Sequence, residues 1–323
     1  MESLPLFERF PRLADLPRVA LGSFPTPVER IHGLDGRELW IKRDDLSGEP
    51  LGGNKVRSLE FLLSPVRPGN HVLTVGAEGS THALATATYS LQLGGRTTVM
   101  AWRQQMNEEA RAVASRMKNV ARVIVSRFTI VSMTRAMLLR LREPVIWIPP
   151  GGSSPRGILG HVNAGLELAL QIERGETPRP ARIVLPLGTG GTAAGVALGL
   201  AIAGVRTNIV MVRVVPRVVA NRVRVRSLMR RTAELIEQRT GERLVLPPLR
   251  SMEVIHDQFG GAYGSATESG NAAAGELSRL HGTRADATYS AKALAAALSL
   301  RVSGPTLFWH TFDGRWLASG TPT

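Results

Sequence analysis

The chain of 323 residues contains no cysteine, which excludes disulfides, thiolate nucleophiles and sulfur-ligated metals at once. No metal centre is expected. Lysine is almost as scarce: only Lys42, Lys55, Lys118 and Lys292 occur, so 36 of the 40 basic residues are arginine. Aromatic residues make up 5%, too few to interleave a base-stacking surface. Acidic residues number 26, leaving a formal charge of +14. That balance suits a polyanion, but the arginines are scattered along the whole chain, which argues against nucleic acid as the partner. The opening "MESLPLFERF" carries Glu2 and no apolar run of leader length, so a cytoplasmic location is expected. With 43% hydrophobic residues the chain can fill a substantial core.

A long uncharged run occurs once. Residues 183–205, "IVLPLGTGGTAAGVALGLAIAGV", approach the length of a membrane helix, with Gly191, Gly195 and Gly199 as a small-residue ladder. Pro186 and the "GTGG" at 188–191 break any helix begun at Ile183. Strand, tight glycine loop and buried helix is the better parse, and no membrane partner is expected. The same grammar recurs elsewhere. "HVLTV" (71–75) precedes a small-residue loop and a helix ending at Gly94 and Gly95. "RTTVMAW", "ARVIVS", "EPVIWIP", "TNIVMVRVV" and "TLFWHT" are further β-branched runs. Strands alternating with helices predict an α/β fold with mostly parallel, twisted sheets flanked by helices. Residues 221–244 read as one charged helix with Arg222, Arg226 and Arg230 on a solvated face.

Two stretches carry chemistry. "PLGTGGT" (186–192) leaves a strand and opens a helix, so its N–H groups converge where the helix dipole also favours an anion. It lacks the P-loop lysine and the dinucleotide spacing, so a phosphate is indicated but no nucleotide. "LGGNKVRSLEFLL" (51–63) sets Lys55 behind two glycines and Asn54 at a helix entrance, where desolvation would lower its pKa towards the reactive amine. Alone, that stretch is better explained by an ordinary surface lysine. Together, a lysine able to form a Schiff base and a phosphate-cradling loop point to pyridoxal phosphate.

The stretch "WIKRDDLSGEPLGGNKVRSLEFLL" (40–63) resembles the cofactor-lysine segment of the fold-type II, tryptophan synthase β-like, pyridoxal-phosphate enzymes. The similar branch is that of D-cysteine desulfhydrase and 1-aminocyclopropane-1-carboxylate (ACC) deaminase. Motifs at 24–31, 79–95, 151–168, 188–195, 260–270, 287–294 and 307–311 resemble that branch in its order. The resemblance implies that Lys55 binds the cofactor and shuttles the Cα proton, with Asn54 before it. It assigns the phosphate to Gly188, Thr189, Gly190, Gly191 and Thr192. Ser80 would meet the substrate carboxylate or act on the substrate directly, beside Thr81 and His82. Tyr263 and Tyr289 match the two active-site tyrosines, and Ser290 and Thr311 match cofactor contacts.

Four positions set this chain apart within that pattern. Thr81 replaces an asparagine whose amide meets the cofactor's 3′-oxygen. Ser290 stands where ACC deaminases resemble one another in glutamate and D-cysteine desulfhydrases in threonine. Phe312 and Asp313 replace a pair of glycines, which would narrow the pocket or bring a charge beside the ring. The hydroxyl at position 290 leans towards β-elimination from a D-cysteine-like substrate to a 2-oxo acid and ammonia. ACC ring opening, β-replacement, racemisation, and a basic nucleic-acid-binding or inactive relative are the alternatives. The resemblance further implies a homodimer and two domains: a small one at 48–165 carrying Lys55, and a discontinuous large one at 1–47 and 166–323 carrying the phosphate loop.

Overall fold

The computed structural model describes residues 3–34, 36–300 and 303–318; Glu2, counted above against a leader segment, lies outside them. A short helix α1 (Pro5–Arg9) and strands β1 (Val28–Ile31) and β2 (Leu39–Arg43) lead to α2 (Lys55–Leu62). Strands and helices then alternate: β3 (His71–Ala77), α3 (Thr81–Gln92), β4 (Arg96–Trp102), α4 (Glu108–Val120), β5 (Arg122–Ser126), α5 (Thr129–Arg142) and β6 (Ile146–Ile148). The second half runs α6 (Pro155–Glu173), β7 (Arg182–Leu187), α7 (Gly191–Ile202), β8 (Asn208–Arg213), α8 (Arg222–Thr240) and β9 (Met252–Ile255). It closes with α9 (Glu268–His281), α10 (Ser290–Ser299), β10 (Thr306–His310) and α11 (Arg315–Ala318).

The strands form two sheets, in the orders β1-β2-β10-β7-β8-β9 and β5-β4-β3-β6. Every ladder is parallel except β1 with β2. Parallel strands are covered on both faces, so they are apolar throughout rather than alternating; β3 accordingly buries all seven of its residues. The apolar run at 183 is β7, and its Pro186 sits past the last rung with β10, which pairs only as far as Val184. The expected small unit contains all four strands of the second sheet, and its expected limit at 165 falls inside α6.

The glycine ladder packs protein, not lipid. A Cβ on Gly199 would lie 2.2 Å from the Val162 carbonyl oxygen, and one on Gly195 would lie 2.3 Å from His161 Cβ. Helices α6 and α7 therefore touch backbone to backbone, and no described helix is long and apolar enough to cross a membrane. One boundary differs from expectation. The charged helix stops at Thr240 rather than 244, because Gly241 takes a left-handed φ of 77° and donates back to Glu237 as a C-cap.

Candidate active site

A cavity of about 710 Å³ opens between the two sheets, at the carboxyl ends of β3 and β7. Ligands of open parallel sheets bind at such ends. It gathers the predicted residues from three directions: Asn54 and Lys55; Ser80, Thr81 and His82; and Gly188–Thr192 with Tyr263, Tyr289, Thr311 and Phe312. Ser290 is the exception. It is fully buried behind the wall, its Oγ 3.3 Å from Thr311 Oγ1.

Lys55 is the first residue of α2, and its loop is built to deliver it there. Gly53 has a φ of +103°, and a Cβ on Gly52 would come within 1.9 Å of the Asp45 carbonyl oxygen, which explains the paired glycines. The Gly53 N–H donates to the Asp44 carbonyl and the Asn54 N–H to that of Thr311. The Asn54 side chain donates to Thr192 Oγ1 at 2.7 Å, tying this loop to the glycine loop. Burial alone pulls the Lys55 pKa down to about 8, and no hydrogen bond to its amine is present among the described residues. Lys55 is half-buried and lines the cavity rather than the outer surface.

The glycine loop sits at the start of α7. Gly190 takes a φ of +92°, and a Cβ on Gly191 would lie 2.7 Å from Ser153 Oγ. The first-turn N–H groups have no partner within the helix and face the cavity with the positive end of its dipole. Arg224 Nε donates to the Thr189 carbonyl at 3.1 Å and adds a cation beside the loop.

On the opposite wall Ser80 N-caps α3, its Oγ accepting from Ala83 N at 3.3 Å. Thr81 opens that helix, and His82 is buried within 3.4 Å of Thr74 Oγ1. Burial, reinforced by the Lys55 charge, pushes His82 down to about 3, so the ring is neutral. Tyr263 and Tyr289 meet edge to face, ring centroids 6.0 Å apart, with their hydroxyls hydrogen-bonded to each other. Burial raises both phenols, Tyr263 to about 12 and Tyr289 further, so both keep their protons. Phe312 lines the cavity and stacks edge-on against Trp316, narrowing the pocket. Asp313 turns away from it, accepting from the Gly52 N–H at 2.8 Å and pairing with Arg315, so no charge reaches the cavity there.

The family model described as "pyridoxal-phosphate dependent enzyme" matches residues 19–311. The chain belongs to this family. Among its relatives, D-cysteine desulfhydrase of Serratia proteamaculans is 32% identical over 326 residues, 93% of this chain and 94% of that one. Nocardicin C-9′ epimerase of Nocardia uniformis is 33% identical over 325 residues, with the same coverage. A solved ACC deaminase homologue superposes with a TM-score of 0.79 at 30% identity, covering 97% of this chain and 95% of that one.

The cavity of this pyridoxal-phosphate dependent enzyme fits its cofactor on independent grounds. An unpartnered, desolvated amine faces a helix N-terminus whose glycines leave room for an anion. Among the described residues no aspartate or glutamate lines the cavity, whereas Lys55, Arg103 and Arg224 do. A positive site suits a ligand with a phosphate and a carboxylate.

Several supporting residues escaped sequence reasoning. Behind Lys55, Arg57 donates to Asp44 and Glu167, while Lys42 donates to Glu167, Gln171 and the Thr26 carbonyl, all fully buried. Burial raises the Glu167 carboxyl, but the Arg57 and Lys42 charges and hydrogen bonds outweigh it and bring it down to about 2. Asp286 accepts from the Tyr289 and Ser290 N–H groups at 2.8 and 2.9 Å, fixing the tyrosine ahead of α10. An aspartate three residues before that tyrosine is a readable cap signal. The third tyrosine, Tyr89, donates to the Leu51 carbonyl and braces the lysine loop.

Proposed function

We propose that this enzyme eliminates the β-substituent of a small, D-cysteine-like amino acid, with water entering to release a 2-oxo acid, ammonia and the leaving group. The observation that carries this reading is a cavity lined by no carboxylate among the described residues; behind its wall Ser290, at the position the resemblance assigns to the cofactor's ring nitrogen, offers only a hydroxyl, 3.3 Å from Thr311 Oγ1. A carboxylate there would keep the nitrogen protonated and strengthen electron withdrawal. Expelling a stable leaving group needs less withdrawal than opening a cyclopropane.

When bound, pyridoxal phosphate supplies the sink for the charge that develops at Cα. Asn54, the Gly188–Gly191 backbone and the Thr192 hydroxyl hold it, with Thr81, Thr311 and Ser290 about its ring. Ser80, Thr81 and His82 bind the substrate carboxylate at the N-terminus of α3. Lys55, its pKa lowered by burial, removes the Cα proton. Tyr263 or Tyr289, held protonated, gives its proton to the departing group. Phe312 limits the size of the β-substituent. The same reading takes 48–165 as a domain that closes on the remainder, and a cytoplasmic homodimer as the working form.

A second reading, proton exchange at Cα without loss of the side chain, is favoured by the 33% identity to an epimerase. D- and L-cysteine and ACC, assayed for 2-oxo acid, ammonia, sulfide and solvent deuterium at Cα, separate the cases. Sulfide and pyruvate from cysteine are expected. 2-Oxobutanoate assigns ring opening instead, deuterium without product assigns racemisation, and a colourless protein that binds nucleic acid removes the enzyme reading.

A further inference from the structure

The segment Gln104–Asn107, between β4 and α4, touches the loops of all three candidate catalytic hydroxyls, each time within two residues of the hydroxyl. Gln104 Oε1 accepts from the Gly79 N–H at 3.3 Å, beside Ser80. Gln105 Oε1 accepts from Ser265 Oγ at 2.5 Å, and its carbonyl oxygen would lie 2.5 Å from a Cβ on Gly264, the residue after Tyr263. Asn107 Nδ2 donates to the Gly264 carbonyl and to Thr288 Oγ1, 3.2 Å each, and Thr288 precedes Tyr289. Asn107 Oδ1 meanwhile accepts from Ala110 N at 2.8 Å as the N-cap of α4.

One side chain thus uses its oxygen for its own helix and its nitrogen for two loops that approach from the six-stranded sheet. A cap alone would be served as well by serine or aspartate. The reach and the paired donors of an amide serve only the loops. Because the two phenols are hydrogen-bonded to each other, moving either loop parts them. The segment therefore clasps the cleft where both tyrosines are presented.

We infer that Asn107 is a positioning residue that sets the Tyr263–Tyr289 pair; its effect on turnover rests on the elimination proposed above. Asn107→Ser keeps α4 capped and loses both loop contacts; Asn107→Asp keeps the cap and turns a carboxylate towards the Gly264 carbonyl. Both variants of the holoenzyme are expected to melt with the wild type and to lose about tenfold in kcat on cysteine, with KM little changed. In a Tyr263→Phe/Tyr289→Phe background the same substitutions should cost less than about twofold, since a residue acting through the phenols is non-additive with them. In the apoprotein, tyrosine ionisation followed by ultraviolet absorbance should differ between the wild type and Asn107→Ser, because parting the pair removes the hydrogen bond that holds Tyr263 down and pushes Tyr289 up. Equal losses in both backgrounds, or an unchanged phenol titration, overturn the assignment. A wild type with no turnover refutes the elimination instead, and the titration still judges Asn107.

Discussion

The Asn54 amide donates to the Thr192 hydroxyl at 2.7 Å and so joins the helix that carries Lys55 to the helix proposed to cradle the phosphate. Neither element alone makes a cofactor site. Among the described residues, Lys55 supplies an amine with no charge partner, and α7 supplies first-turn N–H groups with no acceptor. The bridge between Asn54 and Thr192 fixes the distance between the two.

Asn54→Ala should therefore weaken cofactor binding without unfolding the chain. Losing one buried hydrogen bond costs about 1–2 kcal/mol, or roughly tenfold in affinity. Equilibrium dialysis against pyridoxal phosphate measures it. An unchanged affinity would mean that the bridge is incidental.

The lowered pKa of Lys55 predicts the pH dependence of cofactor capture. Its amine is neutral above about pH 8 rather than above the ordinary 10.5. Capture of pyridoxal phosphate by the apoprotein, read from the visible absorbance, should rise about tenfold per pH unit below 8 and level off above it. Borohydride should then fix the label in the wild type and not in Lys55→Ala. An inflection near 10 would contradict the desolvated setting.

Glu167 sits in the buried ion network behind the lysine helix, and its carboxyl falls from the usual 4.5 to about 2. A depressed carboxylate contributes stability above its unfolded pKa and loses it as pH falls through the folded one. The contribution is thus complete above about pH 4.5 and gone near pH 2. Glu167→Gln should cost roughly 3–5 kcal/mol at neutral pH, because Lys42 and Arg57 stay buried with half their counter-charge. Denaturant melts at pH 7 and pH 3 should show the gap to wild type narrowing in acid. A gap that stays constant would place the cost elsewhere.

Much of this was legible in the sequence because it was local. The alternation of β-branched runs with helices announced mostly parallel sheets, the family resemblance implied that there are two units, and glycine spacing marked the two loops that meet at the cavity. Capping signals stand within three residues of what they cap. The Arg57–Asp44–Glu167 network was not legible, because Glu167 lies 110 residues from Arg57 and exposed arginines abound. Asn107 was hidden for the same reason: its loop partners Gly264 and Thr288 lie 157 and 181 residues away. The direction of Asp313 could not be read either, since only the fold brings the Gly52 N–H, 261 residues away, to it.

The phenol pair makes the reaction class testable by choice of leaving group. A thiolate leaves better when protonated, whereas chloride needs no proton. If Tyr263 or Tyr289 is the general acid, the Tyr263→Phe/Tyr289→Phe enzyme should lose about 10²-fold or more in turnover of cysteine. With β-chloroalanine as substrate the same enzyme should lose little, because Lys55 still removes the Cα proton. Release of 2-oxo acid measures both. Equal losses on the two substrates would assign the tyrosines to cofactor placement rather than to proton transfer, and would leave Ser80 as the remaining candidate catalytic hydroxyl.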